Sequence, residues 1–563
     1  MGEQTKGRSR ELIYAGLAIA IAIAYWVFAQ FNEGFHMHDE VSHYLSMKGL
    51  WHQPWDMLSI WQKPGYKFLF FPFSGLGETL MVFLHAACVA GAAWFAGKIM
   101  DEVELPQWRW LAMIFTAFQP IVWQTAFRFN SENFAALLLA ASAFYWYRQR
   151  WYLSALLISY AMVTRFELGL VAVVLGIALL TRKEWRAALS IATFPLIVHL
   201  LGWVHEGDPL FFLSMIGGGS GYNYPSFGFF YNWKMIAPAS GILVVGLALV
   251  GILPLGKSLV ELKQYWSRHL PLLASFGTVF IGYCLFTSDW FPWLRLQTQD
   301  RAFVQFAPAL GTLAALGFAH LLDLRQSRNW QPLALLGVFA ALIGLFNRAL
   351  YVHPNRFAHT DPATGNRVNH APVSGNADLS LLEPVLEPSY VMMALLLLGS
   401  AFVLRSTRLS PLLISGVLAA VLGIHTIASE KPTELSPEDS LCKQVAEWVE
   451  QNNLDTATVL CAHNVFHYFA GNTITEDGEA QRLRWQNALR APKGSVLLWE
   501  NRYAYQPTRS GFRNTPLDSL TSHPEWFRPL TNGHFQATKG NFAVVPFVKV
   551  AGPQPVPASL QEQ

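Results

Sequence analysis

Apolar runs of roughly 20 residues, divided by short charged links, recur over the first three quarters of the chain. That is the length a helix needs to cross a hydrocarbon layer. The spacing predicts membrane helices near 12–31, 76–97, 108–127 and 131–147, then two shorter ones at 152–164 and 167–181. Further helices are expected near 187–204, 236–255, 270–287, 300–322, 331–350, 386–404 and 409–428, about 13 spans in all. Beyond 429 the hydropathy falls. There a helix at 441–451 and strands at 456–461, 495–499 and 542–548 predict a small soluble α/β module. The expected fold class is therefore an all-α polytopic membrane protein with domains 1–429 and 430–563.

The links add direction. Lys6, Arg8 and Arg10 precede the first span, and alternate loops carry Arg148 and Arg150; Arg182, Lys183 and Arg186; Lys257, Lys263 and Arg268; Arg325 and Arg328; Arg405 and Arg408. The positive-inside rule makes these cytoplasmic, with the N-terminus inside and the C-terminal module outside. The loop with Lys98, Asp101, Glu102 and Glu104 dissents, but acidic residues weigh little in that rule. Long outside loops are expected at 32–75, 205–235 and 351–385. The first apolar stretch shows no cleavage pattern of small residues, so no removable signal is expected.

Composition changes the picture only by exclusion. Of 563 residues, 52% are hydrophobic and 14% charged, too apolar for a soluble enzyme on an anchor. A formal net charge of +3 gives no reason to expect a nucleic acid partner. The 21 Trp and 40 Phe suit interfacial belts and lipid-facing packing. Cys442 and Cys461 fall in the outside module, where a disulfide and two free buried thiols are both open; Cys88 and Cys284 fall in spans.

Candidate chemistry gathers at the outer helix ends. Asp39 and Glu40 come after the first span in His36-Met37-His38-Asp39-Glu40. One carboxylate there can take a proton from an incoming hydroxyl while its neighbour orients the site, or the pair can simply cap a short interfacial helix. Arg128, Asn130 and Glu132 lie in a turn between spans, where Arg128 and Glu132 can also pair across one helical turn. Arg165 and Glu167 interrupt the short pair of spans, as happens where segments line a polar cavity. Asp289, Arg295, Asp300 and Arg301 flank the tenth span, where Arg301 can also serve as an interfacial anchor. Arginine suits phosphate because its planar fork donates two parallel hydrogen bonds. His36, His38 and His43 beside the acids raise a metal site, but without a second ligand cluster none is expected. The Gly-rich run from Gly217 to Gly221, with Tyr222 and Tyr224 after it, reads as a mobile outer loop able to close over substrate, not as a P-loop.

In these residues the chain resembles the GT-C superfamily of polytopic glycosyltransferases, nearest to the mannosyltransferases of the ALG9/ALG12 and GPI-anchor type. Met37-His38-Asp39-Glu40 stands where those enzymes carry His-Pro-Asp-Glu in the first outside loop. Thr164-Arg165-Phe166-Glu167-Leu168 is similar to their Arg-x-Glu-Leu segment, and Gln299-Asp300-Arg301-Ala302 to their Lys-Glu-x-Arg-Phe motif. The run from Tyr222 to Trp233 is similar to their aromatic outer loop, and the C-terminal module to the outer domains of bacterial members. The departures are the family's His and Pro, replaced by Met37 and His38, and its His-Lys-Glu, replaced by Gln297, Thr298 and Gln299.

The resemblance implies a polyprenyl-phosphate-linked sugar donor, a glycolipid, glycan or protein acceptor, and no cofactor, although some members of the superfamily use a divalent metal. It implies Asp39 as base for an inverting displacement and Glu40 as orienting group. Arg301 would stabilise the departing phosphate first, with Arg165 and Arg295 behind it. Arg128, Glu167, Asp300 and His38 complete the substrate-binding set. A protein O-glycosyltransferase or a lipid A aminoarabinose-type transferase is the alternative within the class. A lipid or glycan transporter, or a structural assembly factor, is the alternative outside it. A transporter would be expected to show an internal repeat and midplane charges, and the chain shows neither.

Overall fold

The structure, a computed structural model, describes residues 2–58, 63–218, 229, 231–254, 257–286, 300–327, 357–360, 367–370, 410–471, 482–504, 515–530, 534–537 and 541–555. The chain divides into two compact units. One comprises Met1–Phe31, Met57–Pro354 and Leu379–Pro432; the other comprises Asn32–Asp56, Asn355–Asp378 and Thr433–Gln563. The second unit thus joins residues from Thr433 onward with Asn32–Asp56, at the start of the expected first outside loop.

The first unit is a helical bundle, and the expected apolar segments that fall on described residues become helices. Among the described residues, four helices are long and apolar enough to cross a membrane: Ser9–Ala29, Glu78–Glu102, Trp185–Glu206 and Arg301–Asp323. A fifth counts if Leu259–Arg268 and Leu270–Phe286, bent by 79°, form one span. Shorter apolar helices such as Trp151–Thr164 and Phe166–Thr181 join them. The chain is thus multi-pass, although length and composition alone do not bring the described helices to thirteen spans. The expected segments at 331–350 and 386–404 lie outside the described residues.

One expected span is broken for a clear reason. The stretch 108–127 forms Arg109–Ala117 and then Pro120–Thr125, with Gln119 extended between them (φ −71°, ψ 134°). Pro120 lacks an amide hydrogen and pushes the residue before it out of the helical region. Where Ile242–Ile252 packs on Ala307–Ser327, a Cβ on Gly317 would sit 1.9 Å from the Leu247 carbonyl oxygen, so backbones meet as only glycine allows. The dissenting acidic loop finds its partners here: Arg109, fully buried, donates to Glu11 (2.8 and 3.0 Å) and Asp101 (2.9 Å), and Lys98 donates to Glu11 (2.8 Å).

The second unit is built on a five-stranded sheet. Val459–Cys461 runs parallel to Val496–Glu500, which pairs antiparallel with Ala543–Lys549. Phe527–Pro529 and Phe535–Gln536 pair with different stretches of that last strand. The period-2 alternation splits the central strand between two cores: Val496 and Leu498 face one, Leu497 the other. Helix Pro437–Gln451 covers the first core with Leu441, Cys442, Val445 and Val449. Cys442 and Cys461 both lie in that core as free thiols.

Helix His38–Gly49 belongs to this same core through Val41 and Leu45. Its approach is fixed by backbone. The Glu33 and Gly34 amides donate to the Thr433 carbonyl (3.0 and 2.9 Å), and a Cβ on Gly34 would collide with the Glu434 carbonyl oxygen at 2.0 Å. Leu45→Ala should therefore destabilise the C-terminal unit by about 2–5 kcal/mol, the range for a truncated core leucine. Limited proteolysis of residues 433–563 during a urea titration of the full chain measures this. An unchanged cleavage midpoint would remove the helix from that core.

Candidate active site

Each unit concentrates ionisable groups. In the helical unit the centre is Glu132, the second residue of Ser131–Tyr147, buried to 1% exposure. An isolated carboxylate at such a place is costly, and the bundle answers with two guanidinium groups from distant segments. Arg165 Nη1 donates to Glu132 Oε1 (2.9 Å), and Arg301 Nε lies 3.4 Å from the same oxygen. Arg165 Nε also donates to Glu167 Oε1 (2.7 Å), which accepts a further bond from the Tyr283 hydroxyl (2.8 Å). Arg301 Nη1 donates to Asn130 Oδ1 (3.1 Å), and Gln305 donates to the Tyr283 hydroxyl.

Local geometry explains how these side chains arrive. Helix Trp151–Thr164 stops because Arg165 takes an extended conformation (φ −147°, ψ 110°), and the short turn Phe166–Leu168 re-enters the next helix. That break turns Arg165 and Glu167 to the same cluster. Arg301 lies in the tight turn Asp300–Phe306 that leads into Ala307–Ser327. Lys63 acts electrostatically on both Glu132 and Glu167, adding positive charge to a cluster of two carboxylates and two guanidinium groups. Lys67 is fully buried nearby in sequence, its ammonium over the Tyr66 ring.

The expected Arg165–Glu167 pair thus forms, and Arg301 joins it. Glu132 pairs with Arg165 and Arg301, while Arg128 Nε donates to the Gln124 carbonyl (2.8 Å) and its guanidinium stacks on Phe127. Of Asp300 only the backbone is described. Asp289, Arg295 and the loop residues 219–228 lie outside the described residues. Sequence reasoning passed over Lys63, Lys67, Tyr283 and Gln305, which are isolated polar residues without a motif around them.

In the second unit, Asp39 occupies the first turn of His38–Gly49 and is half-buried. Glu40 is buried and turns back: its Oε1 accepts the Met37 amide (3.0 Å), closing the helix N-terminus. The capping reading of the pair therefore holds for Glu40, and one of its oxygens is engaged in structure. His38 is clamped on both ring nitrogens. Nε2 lies 2.9 Å from Asp439 Oδ1 and Nδ1 lies 2.8 Å from the Tyr503 hydroxyl. Glu438 bonds His463 Nε2 (2.7 Å) and Arg502. Glu500, buried, accepts the amides of Arg502, Tyr503 and Ala504 and so fixes the turn that presents Tyr503. None of these partners was singled out from sequence. Ser436-Pro437-Glu438-Asp439 does carry a visible helix-start signature, with Ser436 Oγ accepting the Asp439 amide.

His38, Glu438 and His463 bring ligand atoms within 4.8 Å of one another, a second-site cluster the sequence reading lacked. The same atoms are joined by hydrogen bonds and ion pairs into an ionic network. Arg502 already neutralises Glu438, and the Val465 amide donates to His463 Nδ1 (3.2 Å), leaving the neutral ring's proton on Nε2, the nitrogen that faces Glu438.

The network sets three protonation states. Burial works against charge on His38, but Tyr503 and the hydrogen-bonded Asp439 outweigh it and hold its pKa up at about 9. Burial works against the Asp439 carboxylate too, yet His38 and Ser436 hold its pKa below the usual aspartate value. Burial and the charge on His38 push His463 down to about 4.

No protein-family model matches the chain, and no curated protein matches it. Among solved structures, ArnT from Cupriavidus metallidurans bound to undecaprenyl phosphate is similar, with a TM-score of 0.53 at 14% identity. The match covers 95% of this chain and 97% of that one. The same protein in the apo state matches with a TM-score of 0.53 at 14% identity, over 96% and 98% of the two chains. At that identity the shared property is the fold.

The protonation states predict a stability optimum. His38, with a raised pKa, stabilises fully below about 6.5 and loses that contribution as pH climbs through about 9. His463, with a lowered pKa, costs stability as pH falls from about 6.5 towards about 4. The C-terminal unit should therefore unfold most reluctantly near pH 6.5. His38→Gln should flatten the alkaline limb, worth on the order of 2 kcal/mol, and shrink without abolishing the acid limb, which burial of His463 mainly sustains. Urea titrations from pH 4 to 10 measure both limbs; an alkaline limb that survives His38→Gln would refute the assignment.

Proposed function

We propose that the protein is an integral-membrane inverting glycosyltransferase that moves a hexose, most simply mannose, from a polyprenyl-phosphate donor to a glycolipid, glycan or protein acceptor. The supporting observation is a fold shared, over nearly the whole chain, with a structure solved with undecaprenyl phosphate bound. In the proposed topology the thirteen spans lie in the inner (plasma) membrane, with a cytoplasmic N-terminus and the C-terminal unit on the outer face. A lipid A aminoarabinose-type transferase or a protein O-glycosyltransferase would use the same fold and the same donor lipid, so donor and acceptor separate these readings.

Chemically, the donor carries its own leaving group. When the anomeric C–O bond breaks, the electron pair stays on an oxygen of a phosphate that is already ionised, and no general acid is needed. What is needed is cationic stabilisation, and buried Arg301 and the partly buried Arg165 supply planar donors. In this reading phosphate shares these guanidinium groups with Glu132 and Glu167, and Lys63 adds the charge that favours it. Asp39 takes the proton of the acceptor hydroxyl as its oxygen forms the new bond to the anomeric carbon. Glu40 turns its second oxygen to acceptor hydroxyls. No metal is required, because the leaving phosphate meets protein cations.

Transfer into membranes from a panel of labelled undecaprenyl-phosphate sugars tests the reading. Asp39→Asn should lower turnover by about 100-fold or more with folding intact, the usual contribution of a general base. A fully active Asp39→Asn enzyme would overturn the role. Arg301→Ala should cost on the order of 2 kcal/mol or more in donor kcat/KM, the value of a charged hydrogen bond. EDTA should leave the rate unchanged; a loss restored by added zinc or magnesium would contradict the metal-free mechanism.

A further inference from the structure

The chain leaves the first helix at Ala29 and reaches His38 through a turn at Gln30 and Phe31, the Glu33 and Gly34 bonds to Thr433, and Phe35 packed on the sheet core. The support at the helix start is of another kind. His38 is the first residue of the helix that carries Asp39, and both of its ring nitrogens are tied to residues hundreds of positions away. A side chain bonded at both ends has one orientation, so the backbone that bears it is fixed as well.

The ties continue into the centre of the sheet. Glu500 ends the central strand Val496–Glu500 and takes three successive backbone amides, which sets the Tyr503 phenol. Asp439 is held in turn, since its Oδ2 accepts the Ser436 hydroxyl (2.7 Å) while its Oδ1 meets His38. One turn further along the helix, the Asn464 amide donates to Ser42 Oγ, and Val41 and Leu45 enter the core. Asp39 therefore sits between a side chain clamped from two directions and a helical face packed into the sheet domain.

We propose that the C-terminal unit positions the catalytic carboxylate: Glu500, Tyr503 and Asp439 hold His38, and His38 fixes the helix start that aims Asp39. This rests on the reading of Asp39 as base. His38, Tyr503 and Asp439 are positioning residues in this scheme, and His38 acts as an anchor in place of a substrate ligand. The arrangement gives the soluble unit a part in catalysis without contact with the reacting atoms. It also explains a departure from the family motif. The histidine and proline that precede the two acids there are Met37 and His38 here, and the residue beside the acids is a histidine with its own partners. Displacing a reacting group by about 1 Å can cost on the order of 100-fold in rate, so an anchor of this kind is visible in kcat.

The test uses the full chain in nanodiscs and two variants that preserve shape, Tyr503→Phe and Asp439→Asn. Amide hydrogen exchange should quicken at least tenfold in a peptide covering residues 36–42 and stay slow in Val496–Glu500. With the panel donor that supports transfer, kcat should fall tenfold or more while donor KM stays within twofold. Exchange in 36–42 unchanged in both variants would overturn the anchor, whatever the activity. Faster exchange throughout the sheet would also overturn it, since the residues would then serve general stability. Asp39→Asn run beside them separates the two readings. If it abolishes transfer while both anchor variants keep wild-type kcat, the positioning role falls and the base stands. If it retains transfer, the base reading falls, and positioning of a catalytic carboxylate falls with it.

Discussion

A carboxylate buried in an apolar bundle is the constraint on which the helical unit depends. Glu132 sits at the start of helix Ser131–Tyr147 with almost no exposure, and it is tolerable only because Arg165 and Arg301 share one of its oxygens. Breaking such a pair leaves a buried charge uncompensated, at a cost of about 3–5 kcal/mol. Three segments distant along the chain are thereby pinned together: the start of Ser131–Tyr147, the break after Thr164 and the turn at Asp300–Phe306. Burial of apolar surface alone does not select such a register, because lipid tails are as apolar as the helix faces. The ion pairs add a selection of their own, and they gather the cationic groups to which the proposal assigns the donor phosphate.

The second unit answers a different need with a similar device. All five strands lie within residues 433–563, yet the sheet takes a helix from the beginning of the chain into its core and secures that helix's first residue with two side-chain bonds. A candidate base gains little from burial in itself. It gains from a fixed direction, and the His38 network supplies one while Glu40 closes the helix end with a single backbone bond.

Much of this was legible in the sequence, and the reason lies in periodicity. Long apolar stretches, Arg165 and Glu167 in a hydrophobic setting, and the alternation of Val496 to Trp499 are local signals, and the helices and strands track them closely. The break at Pro120 was equally local but was overridden by hydropathy, which reads 108–127 as one span. The partners of His38 were not legible. Asp439 and Tyr503 lie about four hundred and more residues away, and nothing in the spacing of a histidine records which distant carboxylate will face it. Glu40 was legible in part: its capping role was open from the sequence, but a methionine before a helix carries none of the usual signal for which amide the carboxylate meets.

The proposed reaction is a single displacement at the anomeric carbon, driven by a protein carboxylate and released as lipid phosphate. The decisive measurement is the anomeric configuration of the transferred sugar, by NMR of the product formed from a donor of known configuration. Inversion is the expected result. Retention would require a covalent sugar–protein intermediate or a front-side exchange, and would contradict the role given to Asp39.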